Sequence, residues 1–181
     1  MAKFEPLLAD WGEQVKTCRI PRYNELPGIE LYMDQVVVIL EEYLRAFTRE
    51  AKDRRITPAM INNYVKLKIL PPPLKKKYNR THLCYLIIIC MLKQVLAISE
   101  IRDLIAIKIE NSDIQQVYDE FCLLQENAFV QVVEEAESAK ELSVYDLTLR
   151  AAVSAHTHKS LAERLIDTSH AGHAAESRAK S

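Results

Sequence analysis

A polar stripe of asparagine and lysine follows a helix start signal near the middle of the chain. Thr57 and Pro58 are typical of the first residues of a helix, because the threonine hydroxyl can cap an exposed amide and proline has no amide to lose. At about 100° per residue, Asn62, Asn63 and Lys66 then share one helix face. Asparagine pairs with adenine and lysine reaches guanine or phosphate, so this face has the chemistry of a major-groove surface. A solvated helix face without a ligand is the alternative.

A cluster of basic residues follows this helix. We expect the helix to run to about Leu70, because the prolines at 71–73 prevent its continuation. Residues 51–82 contain nine lysines and arginines and one acidic residue, a local charge of +8 in a chain whose net charge is −1. Such an excess is typical of a surface that contacts nucleic-acid phosphates. The residues that we predict to contact DNA in this cluster are Lys75, Lys76, Lys77, Tyr78 and Arg80.

The composition favours an all-α chain. Only three glycines occur and none lies between residues 29 and 171, so turns and loops that depend on glycine are missing there. A helix over 30–48 is predicted to turn one apolar face to the core, and a second helix, capped by Asn79 or Thr81, is apolar on nearly every side. We expect the inward side chains of successive helices to pack together as one core, namely Tyr64, Leu70, Leu86, Ile87 and Leu104.

The order of these features resembles the helix-turn-helix domain of MerR-type transcription regulators. The resemblance is carried by Thr57, Tyr64, the segment Ile69-Leu70-Pro71-Pro72, the basic wing that closes on Tyr78, and the later segment ISEIRDLI. The segments LYMDQV, ITPAMINNYVK and KKKYNR look closer to an uncharacterised bacterial domain family that shares this core. The resemblance implies a winged helix-turn-helix fold over roughly 27–107 that binds double-stranded DNA. The wing is shorter than in MerR-type regulators, and Asn62 and Asn63 stand where those proteins usually have an arginine.

The chain divides into four predicted segments: a helical arm and linker at 1–29, the helix-turn-helix domain at 30–108, C-terminal helices at 109–168 and a disordered tail at 169–181. Residues 111–139 contain seven acidic residues and no lysine or arginine, so we expect them to face away from DNA. Ser112 and Gln115 fit a capping box, and a last helix is expected from Ser143 to about Ile166. The C-terminal helices are predicted to form a homodimer, with a small effector or simple packing within the chain as alternatives.

Several other classes of site lack support in the sequence. The four cysteines show no C-x-x-C pair, and no nucleophile is placed beside a base, so we predict no catalytic, cofactor-binding or metal-binding residues and no enzyme activity. No signal peptide or membrane span is expected, which predicts a cytoplasmic protein. The expected function is a sequence-specific DNA-binding transcription regulator. The alternative is a protein–protein adaptor that keeps the fold without contacting DNA.

Overall fold

The computed structural model of the chain describes residues 4–47, 56–139 and 141–179. Across these ranges the regular structure is helical, with two isolated β-bridges and no longer strand, which confirms the predicted all-α class. Two short 3-10 helices span Tyr23–Glu25 and Arg45–Phe47. The α-helices are α1 Phe4–Thr17, α2 Met33–Tyr43, α3 Pro58–Lys66, α4 Arg80–Leu92, α5 Ile98–Ile109, α6 Ile114–Ser138 and α7 Val144–Ala179.

Helix α4 is the centre of the core. It is apolar on nearly every side, and α2, α5 and α6 pack around it. Tyr64, Leu70, Leu86 and Ile87 are buried in this core and Leu104 packs against it, which confirms the predicted set. The side chain of Asn79 caps α4 by accepting a hydrogen bond from the amide of His82 at 3.3 Å.

The acidic helix α6 belongs to the same core. Tyr118 and Cys122 on its inner face are fully buried, and the Tyr118 hydroxyl donates a hydrogen bond to the Pro21 carbonyl at 2.7 Å. The Arg22 guanidinium pairs with both oxygens of Glu126 at 2.8 and 2.6 Å. These contacts fix the loop after α1 against α6. Residues of the predicted segments 1–29, 30–108 and 109–168 therefore share one hydrophobic core.

Some helix ends differ from the predictions, because contacts between distant segments set them. Helix α2 begins at Met33 rather than near residue 30, since Leu31 is paired with Tyr78 in a β-bridge. Its α-helical part ends at Tyr43, well before residue 48. The predicted capping box at Ser112 is wrong by one residue. Asp113 caps α6 instead, accepting a hydrogen bond from the Gln116 amide at 2.8 Å.

Helix α7 is long and largely exposed. It packs on α5, where Ile166 is buried and Ala162 lies against the core, while residues 148–161 are exposed along their whole length. The helix continues to Ala179, where the sequence predicted a disordered tail from residue 169. The four alanines after residue 169 favour a helix and no proline interrupts it, whereas Gly172 is a weak helix former. No helix in the described ranges combines the length and the apolar character needed to span a bilayer.

Candidate nucleic-acid interface

Helix α3 presents the predicted polar stripe to solvent. The Thr57 hydroxyl accepts a hydrogen bond from the Met60 amide at 3.3 Å and Pro58 is the first helical residue, as the sequence predicts. Ile61 and Tyr64 are buried, and the helix packs on α2. The three stripe residues Asn62, Asn63 and Lys66 are all exposed. The stripe is therefore free to meet a partner.

The end of α3 is tighter than the sequence predicts. The helix ends at Lys66 rather than near Leu70, because the chain turns through a left-handed residue, Lys68, with φ of 58°. The Lys68 amide donates to the Val65 carbonyl and the Ile69 amide to the Tyr64 carbonyl, both at 3.1 Å. This is the pattern of a Schellman C-cap, in which glycine is the usual left-handed residue. It turns Ile69 and Leu70 into the core.

A second left-handed segment forms the tip of the basic cluster. Lys75 and Lys76 have φ of 50° and 63°, and the Lys77 amide donates a hydrogen bond to the Leu74 carbonyl at 2.9 Å. Two central residues with positive φ are the mark of a type I′ turn, which strongly prefers Asn-Gly. Both lysine side chains are exposed. The turn therefore displays two adjacent positive charges at its tip.

Within the described residues, the non-glycine residues with positive φ are all lysines of this basic region: Lys68, Lys75 and Lys76. A left-handed conformation costs a residue with a Cβ atom about 1 kcal/mol relative to glycine. Glycine or asparagine at these positions would therefore make the folded protein more stable. Residues that persist in a costly conformation are concentrated at functional sites. Three lysines in this conformation point to a use for their charge.

Two further basic residues of the predicted site are held by the protein itself. The Lys77 ammonium pairs with Glu30 at 2.9 Å, which raises the pKa of Lys77, and lies 6.0 Å from the centre of the Tyr32 ring. The Nε of Arg80 donates to the Leu26 carbonyl at 2.9 Å, and its guanidinium lies 5.8 Å from the centre of the Tyr23 ring. Lys77 and Arg80 therefore fix the turn and the loop before α2.

Tyr78 is a core residue and not a surface contact. Its side chain is 2% exposed, and burial raises its pKa. Its backbone exchanges two hydrogen bonds with Leu31, at 2.8 and 2.9 Å, and its ring meets the His82 ring edge-on at 5.3 Å between centroids. The prediction that Tyr78 contacts DNA is wrong, because this bridge turns the ring inward.

Sequence reasoning missed Lys68 and three exposed apolar residues near the turn. Leu74 is 70% exposed, and Ile29 and Tyr32 flank the bridge residue Leu31 with more than half of each side chain exposed. A signal for Lys68 exists in the sequence. No glycine lies between the end of the helix and the proline run, so a residue with a side chain must take the left-handed position at the helix end. Lys52, Arg54 and Arg55, which contribute to the predicted basic charge, lie outside the described residues.

Helices α2 and α3 pack together, and residues 48–55 of the segment that joins them lie outside the described ranges. Comparison of the chain with curated proteins and with solved structures finds no match. A family described as "Domain of unknown function (DUF1836)" matches residues 21–121, which include α2 to α5, the lysine turn and the start of α6. This match covers more than half of the chain, and the protein belongs to the DUF1836 family.

Proposed function

We propose that this protein is a sequence-specific DNA-binding transcription regulator of MerR-like type. In this proposal the exposed stripe of α3, formed by Asn62, Asn63 and Lys66, reads base edges in the major groove. The turn at Lys75 and Lys76 contacts phosphates beside the groove. This division follows the general rule that base contacts give specificity and phosphate contacts give position and affinity.

The observation that carries the proposal is the pair of left-handed lysines at the tip of the turn. Their side chains are exposed and no acidic partner is recorded for either of them among the described residues. Lys77 and Arg80, by contrast, are tied to the protein and keep the turn in place. A rigid, positively charged tip built at a cost to stability suits a polyanion such as the DNA backbone.

The stripe on α3 supports specific rather than purely electrostatic binding. Asn62 and Asn63 occupy interior positions of a short helix, where asparagine is a weaker helix former than alanine or glutamate. Their amides are exposed and face away from the core residues Ile61 and Tyr64. Side chains with both a donor and an acceptor on an open helix face match the pattern that adenine presents in the major groove.

We also propose that the protein acts as a homodimer through its C-terminal helices. A single short recognition helix binds weakly, and two-fold dimers read two half-sites. Tyr145, Leu149 and Val153 are spaced by four residues on α7 and are all more than half exposed. A second copy of the chain would bury this stripe. A small effector that binds the same C-terminal region is the other possibility that the sequence left open.

A protein–protein adaptor is the second candidate function. It is favoured by the apolar residues around the turn, because Ile29, Tyr32 and Leu74 are each more than half exposed. Exposed apolar groups among charges are common at protein interfaces. An adaptor would use this surface to hold another protein and would not discriminate between DNA sequences.

Selection from a random duplex pool, followed by binding isotherms at several salt concentrations, tests the proposal. Wild type is compared with the double substitution Lys75→Asn and Lys76→Gly, which keeps the preferred residues of the turn. The control is Lys108→Ala, which removes a lysine on α5 that pairs with Glu120. We expect the double substitution to weaken all duplexes and to lower the salt slope by about one unit per lost contact. The control should leave the slope unchanged.

Substitutions on α3 separate specificity from affinity. Asn62→Ala or Asn63→Ala should cost about 1–3 kcal/mol of discrimination at particular base pairs, with little change in the salt slope. Equal affinity of wild type for selected and scrambled duplexes, with no effect of the lysine substitutions, would contradict the DNA-binding proposal. That result would leave the adaptor as the better account of the same surface.

A further inference from the structure

An apolar cleft of about 450 Å³ lies where the end of α3, the proline run and α5 meet. This volume is within the roughly 300–1,000 Å³ that is usual for sites of small organic molecules. The walls are formed mainly by aliphatic and proline side chains, including Val65, Pro72, Ile105 and Ile109, and by Tyr85 of α4. The cleft is thus suited to an apolar body that enters from solvent.

The charged residues that line the cleft are both cations, Lys68 and Arg102. No carboxylate is among its lining residues, although Asp103, which does not line the cleft, accepts a hydrogen bond from the Nε of Arg102 at 2.8 Å. An apolar cleft with two cations at its edge is complementary to a molecule with an apolar body and one anionic group. A neutral apolar molecule would use the walls and make no contact with the charge of Lys68.

The backbone at Lys68 gives an independent reason to assign this charge to a ligand. Lys68 occupies the left-handed position of the C-cap, where glycine is free of strain. A lysine there contributes nothing to the core, since its neighbours Ile69 and Leu70 supply the buried contacts. The residue keeps a cation at the mouth of the cleft at a cost to stability, as expected of a binding residue.

From this geometry we infer that the cleft binds a small amphipathic carboxylate, with its apolar body against Tyr85 and Ile105 and its anionic group between Lys68 and Arg102. This site differs from the DNA-reading stripe and from the C-terminal region in which an effector was expected. It does not depend on the proposed DNA binding.

Isothermal titration of the full chain with two matched probes, in the absence of DNA, tests this inference. The probes are 2-naphthoate and 2-naphthalenemethanol, which share one apolar body and differ in the charge of the attached group. We expect wild type to bind the carboxylate at least about fivefold more tightly than the alcohol, as charge-assisted hydrogen bonds to two cations require. Equal affinity for both probes, or no binding of the carboxylate at millimolar concentration, would overturn the inference.

Three substitutions locate the site, and circular dichroism checks that each variant is folded. Lys68→Gly keeps the left-handed turn, removes one of the two cations and should reduce the preference for the carboxylate. Ala106→Trp fills the cleft and should remove binding of both probes. Lys75→Gly is the matched control, because it removes another left-handed lysine that does not line the cleft, and should change neither affinity. A loss of preference in Lys75→Gly, with Lys68→Gly unchanged, would place the binding site elsewhere.

Discussion

Helices α4 and α7 differ in how much of their surface is buried against the rest of the chain. Eight of the 13 residues of α4 are buried, and three other helices pack around it. In α7, Ile166 is the buried residue among those whose side chains are described, although the helix is 36 residues long. Helical stability in proteins comes mostly from packing of an apolar face. Helix α4 obtains this packing from its own chain, whereas most of α7 does not.

The difference follows from where the apolar residues lie. In α4 they surround the helix, so any neighbouring element covers some of them. In α7 the contact with α5 is limited to the region of Ala162 and Ile166, and the stripe with Tyr145 and Leu149 remains in solvent. An exposed apolar stripe of this kind is typical of an interface. The comparison therefore separates a core built by one chain from a surface that suits a partner.

The largest expected effect is on α4. Leu86→Ala should lower the free energy of unfolding by about 2–5 kcal/mol, because the removed atoms leave a cavity in a fully buried site. The matched change on α7, Leu149→Ala, should cost less than about 0.5 kcal/mol at a concentration where the protein is monomeric. Urea unfolding of both variants measures the difference. Similar losses at the two sites would remove the distinction between the helices.

The second prediction concerns assembly. Leu149→Asp combined with Val153→Asp should raise the dissociation constant of the proposed dimer by about 100-fold, since both changes would put a charge into its apolar contact. Arg150→Ala, on the same helix but outside the stripe, is the control. Sedimentation equilibrium over a range of concentrations measures the constant. A wild-type chain that stays monomeric, or a dimer unaffected by both aspartates, would show that this stripe is not the interface.

The third prediction concerns the contact between α6 and the loop after α1. Glu126→Gln should lower the free energy of unfolding by about 1–2 kcal/mol at pH 7, because it weakens the paired contact with Arg22. The hydrogen bond from Arg22 lowers the pKa of Glu126 below its ordinary value of 4.5. As the pH falls, the carboxylate of Glu126 is therefore protonated in the unfolded state before it is protonated in the folded state. The contribution of Glu126 to the free energy of unfolding is present above pH 4.5 and is lost as the pH falls through the depressed pKa.

Thermal unfolding from pH 7 to pH 3 of wild type and of this variant measures that contribution. The stability difference between the two proteins should shrink as the pH falls. Glu135→Gln, an exposed residue on the same helix, is the control and should leave the profile unchanged. A stability difference between wild type and Glu126→Gln that stays constant with pH would show that the charge of Glu126 does not stabilise the fold.

The smallest expected effect has the opposite sign. Lys75→Asn with Lys76→Gly should raise the free energy of unfolding by about 1 kcal/mol, because both new residues tolerate the left-handed conformation better than lysine. Chemical unfolding measures this gain in the same variant that is expected to bind DNA less tightly. A variant that is less stable than wild type would argue against strain in the turn. It would also weaken the inference that the lysines serve function at a cost to folding.

Local signals in the sequence predicted several features of the fold and of the site. Thr57 and Pro58 start α3, Asn79 caps α4, and the stripe of Asn62, Asn63 and Lys66 is exposed as the helical period requires. These features depend on residues within one or two turns of each other. The chain around each of them is enough to determine it.

The roles within the basic cluster were decided by the tertiary structure. Adjacent residues of one sequence run have different environments: Lys76 is exposed, Lys77 pairs with Glu30, and Tyr78 is buried beside Leu31. Glu30 and Lys77 are 47 positions apart, so no local pattern could reveal the pair. The sequence by itself determined where helices start and which faces are polar, because these depend on near neighbours. Which charges remain free for a ligand was determined only when distant segments met in the folded chain.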